Sequence, residues 1–250
     1  MQTSVELSKA DLTDGKELPG ASLQVLDSTG TVVEEWISTE EPHMIRGLLV
    51  GETYTMVETK PADGYTTAES IEFKVEDTAE VQKHQMLDDV TKVEISKTDV
   101  TDSKEVPGAK LTILDKDGKV VESWVSDKDP HMVEKLPVGT YTLREEQAPD
   151  GYLVAEEVSF DVKDTGEIQK VEMKDARPTG KLILKKTDAE DGSPLAGAEF
   201  ELRIKKSGKV VATLVTDEEG VATSGDIPIA TYKDGKMKKE IEYILVETKA

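Results

Sequence analysis

An amine and two carboxyls recur at core-facing positions along this chain, and together they point to chemistry carried out in a protein interior. One phrase runs Val5-Glu-Leu-Ser-Lys9-Ala-Asp, then Val93-Glu-Ile-Ser-Lys97-Thr-Asp, then Leu182-Ile-Leu-Lys-Lys186-Thr-Asp. A later phrase runs Tyr54-Thr-Met-Val-Glu58, Tyr141-Thr-Leu-Arg-Glu145 and Tyr243-Ile-Leu-Val-Glu247. Side chains on a strand alternate faces, so residues two apart point the same way. Lys9 therefore continues the row of Val5 and Leu7, and Lys97 that of Val93 and Ile95. Glu58 follows Tyr54 and Met56, and Glu145 follows Tyr141 and Leu143. Asp88 follows Met86, and Asp175 follows Met173, at the ends of the first two repeats. Parity selects Glu145 over Glu146 and Asp88 over Asp89. Alignment with Ser-Lys-Thr-Asp selects Lys186 over Lys185.

These residues sit in a threefold repeat. Ala21 matches Ala109 at a distance of 88, Tyr65 matches Tyr152 at 87, and Ala109 matches Ala198 at 89. A period of that length is a small domain, too long for a solenoid repeat. The expected domains are 1–89, 90–176 and 177–250, the third ending before its last strands. Domains of this size bury only about 60–70% of their unfolded surface, so an extra staple is useful. The chain has no cysteine and only 4% aromatic residues. Either the domains are cytosolic, or they are extracellular and stapled by something other than a disulfide, for which the inward Lys, Glu and Asp are the candidates.

The elements that must position them read as short strands. Leu23–Leu26 and Leu111–Leu114 run into Asp/Gly-rich turns, and Val32–Ile37 and Val120–Val125 return from them, carrying Trp36 and Trp124. Ile71–Val75 and Val158–Val162 alternate cleanly, one face in and one wet. Many strands at short spacing, with Pro/Gly punctuation and no amphipathic helix, give an all-β chain with one Ig-like β-sandwich per repeat. The linkers, Asp89–Lys92 and the Pro-containing Arg177–Gly180, are brief, which predicts a tandem, elongated array. Repeat 3 departs from this pattern. Ala198 to Tyr243 spans 45 positions against 32 from Ala109 to Tyr141, placing about thirteen extra residues around 227–239.

A net charge of −21 argues against nucleic acid and against anionic membrane surfaces, which demand clustered Lys and Arg. No apolar run approaches the roughly 20 residues of a membrane span. A secretory signal and an anchor are expected outside this segment. His43 and His131, each in Pro-His-Met, have no second ligand nearby and read as packing residues. Asp115-Lys-Asp117-Gly118 reads as a hairpin turn rather than a calcium loop. No metal or cofactor is expected.

The Tyr-x-Leu-x-Glu-x-x-Ala-Pro-x-Gly-Tyr run at 141–152 resembles the E-box of Gram-positive pilins. With the Ser-Lys-Thr-Asp start at 96–99, it resembles collagen-adhesin B-type (Cna-B, SpaA-like) domains, and the likeness covers essentially the whole chain. Two departures stand out. Repeat 1 has Lys60-Pro61-Ala62-Asp63 where Ala-Pro is expected, and repeat 3 lacks its last strand. No sorting signal and no pilin-polymerisation motif occurs. The resemblance implies a prealbumin-like sandwich whose first-strand Lys joins a last-strand Asp through a spontaneous isopeptide bond, assisted by the E-box Glu. Carried over by position, Lys9 joins Asp88 with Glu58, and Lys97 joins Asp175 with Glu145. In the third domain Lys186 and Glu247 match the Lys and the Glu, with no Asp to receive the amine.

Such a reaction needs a neutral amine, whereas a lysine at its ordinary pKa of about 10.4 is protonated at neutral pH. Burial lowers a lysine and raises a carboxylic acid, while neighbouring carboxylates pull the lysine back, so the three groups titrate as one system. The alternative is an unlinked buried salt bridge steered by Glu.

On this reading the chain is a non-enzymatic stalk or backbone segment of a cell-wall-anchored surface protein, adhesin or pilin-like, of a Gram-positive bacterium. It is extracellular and monomeric, and its partners are neighbouring domains of the same protein. The alternative function is an adhesive module recognising a host extracellular-matrix protein or glycan, which the sparse aromatics do not favour. An enzyme acting on an external substrate has no nucleophile–base pair or metal cluster to work with.

Overall fold

The computed structural model describes residues 3–250, which form strands and turns without a helix. In domain 1 the strands are β1 (Ser4–Asp11), β2 (Ser22–Leu26), β3 (Val32–Ile37), β4 (His43–Arg46), β5 (Thr53–Lys60), β6 (Ile71–Lys74) and β7 (Gln82–Asp88). They make two facing sheets, ordered β4-β1-β7 and β3-β2-β5-β6. All pairings are antiparallel except β1 with β7, which run parallel from Val5↔Gln82 to Asp11↔Asp88. The first and last strands of the domain thus lie side by side. Alternation works as the sequence predicts: Val5, Leu7, Leu23, Val25, Met56 and Met86 fill the space between the sheets.

Domain 2 repeats this plan with β8 (Lys92–Asp99), β9 (Lys110–Leu114), β10 (Val120–Val125), β11 (His131–Glu134), β12 (Gly139–Gln147), β13 (Val158–Val162) and β14 (Ile168–Asp175). Its sheets are β11-β8-β14 and β10-β9-β12-β13, again with first and last strands parallel. The histidines do pack, as expected, and they pack on the tryptophans. His43 stacks on Trp36 with ring centroids 4.4 Å apart, and His131 on Trp124 at 4.3 Å. Their Nε2 atoms meet Glu34 and Glu122 at 3.0 and 2.6 Å. Each trio ties an edge strand of one sheet to an edge strand of the other. The Asp115–Gly118 segment is a turn: Asp115 accepts the amides of Asp117 and Lys119 at 2.9 Å each, and Gly118 takes φ 77°.

Domain 3 contains β15 (Thr179–Gly180), β16 (Ile183–Lys185), β17 (Glu199–Ile204), β18 (Val210–Val215), β19 (Val221–Thr223), β20 (Ile227–Pro228), β21 (Ala230–Lys233), β22 (Lys236–Glu240) and β23 (Tyr243–Lys249). Its main sheet is β18-β17-β23, and β16 pairs with β19 alone. The core is small, built on Ala198, Phe200, Leu214 and Ala222. The extra residues of repeat 3 form the β21–β22 hairpin. Arg177–Gly180 is more than a linker, because Thr179 and Gly180 pair with Pro228 and Ile227.

The joint between domains 1 and 2 is stitched through its short linker. The buried Thr91 donates its amide to Gly64 O at 3.0 Å and its hydroxyl to Leu136 O at 2.6 Å, touching both domains at once.

Candidate functional site

Parallel pairing of the first and last strands brings Lys9 and Asp88 together from one sheet, and β5 delivers Glu58 across the core from the other. Lys9 is 1% exposed and is among the largest fully buried side chains of the protein, while Asp88 is 0% exposed. The Lys9 Nζ lies in close contact with Asp88 Oδ1 and 3.0 Å from Glu58 Oε1. Domain 2 builds the same set: Lys97 Nζ contacts Asp175 Oδ1 and lies 3.3 Å from Glu145 Oε1. Glu58 is oriented by one backbone group, the Ala68 amide, which donates to Oε2 at 2.7 Å. The Ala155 amide does the same for Glu145 at 2.6 Å.

Proton accounting reveals what these sets can do. Two carboxylates and one ammonium in a dry core leave an uncompensated negative charge, which is costly unless a proton is retained. Burial pushes the Asp88 carboxyl up to about 7, with Lys9 drawing it down and Glu58 adding to the rise. The Asp175 carboxyl is pushed up to about 6 for the same reasons, with Lys97 and Glu145 in those roles. Glu58 Oε1 and Asp88 Oδ2 are both buried without a hydrogen-bond partner, as are Glu145 Oε1 and Asp175 Oδ2. A proton carried by one acid of each set gives those oxygens a donor. The arrangement places a lysine nitrogen against an aspartate carboxyl with a second acid alongside.

The third set is different in kind. Lys186 Nζ meets Glu247 Oε2 at 2.8 Å, and their side chains are 28% and 33% exposed. Lys186 also lies 6.0 Å from the centre of the Phe200 ring. No Asp faces it among the described residues, so Lys186 and Glu247 form a half-wet ion pair.

A second polar cluster beside each buried set was not singled out in the sequence. Tyr65 donates its hydroxyl to Asp11 Oδ2 at 2.7 Å and accepts Lys135 Nζ, from domain 2, at 2.7 Å. Burial alone would raise the Asp11 carboxyl, but Tyr65, the Thr13 amide and Lys135 hold it down to about 2. In domain 2, Tyr152 donates to Asp99 at 2.8 Å and Arg177 covers both, its guanidinium 4.6 Å from the Tyr152 ring centre. The Lys-x-Asp and Gly-Tyr spacings carry half of this signal in the first two repeats, whereas the cation arrives from a distant part of the chain. No group of three or more His, Asp and Glu side chains suited to a metal ion occurs among the described residues.

Comparison with known proteins agrees with this architecture. Residues 3–89, 91–177 and 180–250 match the family model described as SpaA, a prealbumin-like fold domain. Among solved structures, the Bacillus anthracis TIE protein is 26% identical with a TM-score of 0.51, over 98% of this chain and 48% of that one. This chain therefore spans about half the length of that relative. BcpA, the major pilin subunit of Bacillus cereus, is 18% identical with a TM-score of 0.40, covering 99% of this chain and 95% of its own. The shaft pilin SpaA from Lactobacillus rhamnosus GG is 14% identical with a TM-score of 0.34, covering 71% and 98%. No curated protein matches.

Proposed function

This chain belongs to the family of SpaA prealbumin-like fold domains, and we propose that it is a stalk or backbone segment of a Gram-positive surface protein whose first two domains crosslink themselves. The family is a class of structural domains rather than of enzymes. One observation carries the reading: the first and last strands of each complete domain lie parallel, with a buried lysine of one against a buried aspartate of the other.

In the proposed step the neutral Lys9 Nζ attacks Asp88 Cγ, a C–N bond forms, a C–O bond breaks and water leaves. Glu58, protonated, donates to the Asp88 oxygen as Nζ attacks, takes up the proton that Nζ loses and delivers a proton to the departing hydroxyl, so that water leaves and the acid is regenerated. No oxidant or cofactor is required. The fold supplies the approach of the reacting atoms, which removes much of the entropic barrier. A neutral amide then replaces a buried ion set that is expensive to keep. Lys97, Asp175 and Glu145 act identically in domain 2. Lys186 remains an amine paired with Glu247.

The mechanical consequence follows from topology. Tension entering on β1 passes through the Lys9–Asp88 link to β7 without peeling the sheets, then crosses Asp89–Lys92 to β8. The stretch from Asp88 to Lys97 reaches at most about 30 Å when extended. Each link closes a loop of nearly eighty residues, which by analogy with disulfides contributes about 4 kcal/mol. Such a segment suits the extracellular surface, where a chain without cysteine still needs a staple. No helix among the described residues is long and apolar enough to cross a membrane.

Intact mass tests the proposal. The denatured chain is expected to be lighter than its sequence by two waters, with linked peptides Lys9–Asp88 and Lys97–Asp175 after digestion. An unmodified mass would overturn it.

A further inference from the structure

The acid of each buried set hangs on one backbone amide, and that amide sits at the end of a loop held partly by its own domain and partly by the next one. In domain 1 the loop is 64–68, between β5 and β6. Gly64 O accepts the Thr91 amide at 3.0 Å. Gly64 has φ 86° and lies so close to domain 2 that a Cβ there would come within 2.5 Å of Lys135 O. Tyr65 is held by Lys135 at 2.7 Å. Thr67 donates its amide and its hydroxyl to the two oxygens of Asp164, at 2.8 and 2.6 Å. The next residue is Ala68, whose amide orients Glu58.

Domain 2 shows the same dependence, met by different residues. Its loop, 151–155, ends at the Ala155 amide that orients Glu145. Gly151 donates its amide to Tyr232 O at 3.1 Å, and Gln147 binds Asp234 at 2.6 Å. Gly235 lies against Val154, where a Cβ would come within 2.3 Å of Val154 Cγ2. Tyr232, Asp234 and Gly235 belong to the β21–β22 hairpin, the thirteen-residue addition that repeats 1 and 2 lack. The hairpin thus reaches back onto domain 2. It takes the part that Asp164 plays at the first joint, while Arg177, on Tyr152 and Asp99, takes that of Lys135.

We propose that each domain acts as a positioning device for the crosslinking acid of the domain before it. Docking of domain 2 on loop 64–67 holds the Ala68 amide and with it Glu58. Docking of the repeat-3 hairpin on loop 151–154 holds the Ala155 amide and Glu145. Lys135, Asp164 and the hairpin touch none of the reacting atoms. They act through the loop, so they set the rate of the bond rather than its chemistry. A domain released during synthesis would therefore complete its crosslink only once its C-terminal neighbour has folded and the joint is seated. This inference rests on the crosslinking proposed above.

The test is a cell-free synthesis of the full chain, chased over time, quenched in denaturant and digested, following the two linked peptides by mass. With Lys135→Gly and Asp164→Ala together, the Lys9–Asp88 peptide should appear about tenfold or more slowly, as expected for a misplaced acid. The Lys97–Asp175 peptide, in the same molecules, should keep its wild-type rate. Lys135→Arg should restore the domain 1 rate in the presence of Asp164, because Arg177 fills the same place at the next joint. Shortening the hairpin tip should slow the domain 2 bond and leave domain 1 alone. Equal rates in variant and wild type would overturn the inference while leaving the crosslinks in place, as would equal slowing of both bonds by the double variant. Absence of both linked peptides from the wild-type chain would overturn the crosslinking as well.

Discussion

Domains 1 and 2 keep their lysine dry, whereas domain 3 leaves the equivalent lysine half in water, and the contrast shows what keeps water from an ion set. Lys9 and Lys97 are each 1% exposed and face two carboxyls, while the Lys186 side chain is 28% exposed and faces one. The lysine and glutamate motifs are the same, although Lys186 and Glu247 lie 61 residues apart because of the repeat 3 insertion. The difference lies in the strand beside them. β7 and β14 cover the lysine from the parallel side and bring the aspartate, but β16 has a strand on one side only. Water reaches and screens the Lys186–Glu247 pair. The pair is an ordinary surface interaction worth about 0–1 kcal/mol.

The sharpest way to break this comparison is to remove the lysine. Lys9→Ala leaves two carboxyls facing each other in a dry core and also prevents the crosslink. It should destabilise domain 1 by about 3–5 kcal/mol, read from denaturant melts. Lys186→Ala should cost no more than about 1 kcal/mol in domain 3. Comparable losses would show that burial is not what separates the sites.

Removing the acid tests chemistry more than stability. Glu58→Ala should abolish the mass deficit of domain 1 and leave that of domain 2, with the fold retained by circular dichroism. Glu247→Ala should change no mass at all. A deficit that survives Glu58→Ala would remove the acid from the mechanism.

The two crosslinking domains should share a pH response that domain 3 lacks. Each set must retain the acid proton for the carboxyl carbon to be attacked. Burial holds the Asp88 and Asp175 carboxyls up, to about 7 and about 6. The rate of bond formation should fall in both domains as pH rises through this range, read from linked peptides in a chase at several pH values. A rate that climbed over the same range would refute this assignment.

The smallest effect separates domain 1 from domain 2 at a single position. His84 stacks on Phe73 at 4.7 Å and its buried Nε2 has no partner, whereas domain 2 has Val171 there. Burial lowers the His84 pKa below its ordinary value, so the unfolded chain binds a proton more readily than the folded one. The stability of domain 1 should be fully present above the unfolded value of about 6.5 and decline as pH falls below it. Melts of the Glu58→Ala chain should show this decline, and adding His84→Val should remove it.

Strand faces were legible because alternation is local: a lysine two residues past Leu7 must point where Leu7 points. The same logic placed Glu58, Asp88 and their domain 2 counterparts inward before any packing was known. It could not tell Lys186 from Lys9, since both obey the parity and only a neighbouring strand decides whether water reaches them. Nor could it find Lys135 or Asp164, which meet their partners across 124 and 97 residues of chain. Each lies at a loop position with no periodicity to betray it. The hairpin of repeat 3 was visible as excess length, but its seat against Val154 of domain 2 was not. The sequence alone determined the repeat, the strands and the Lys, Glu and Asp that point inward, because alternation and motif recurrence are read within a few residues. The tertiary structure decided which lysines are dry, which carboxyls burial pushes up and which domain touches its neighbour's loop, because desolvation and docking depend on groups far apart in the chain.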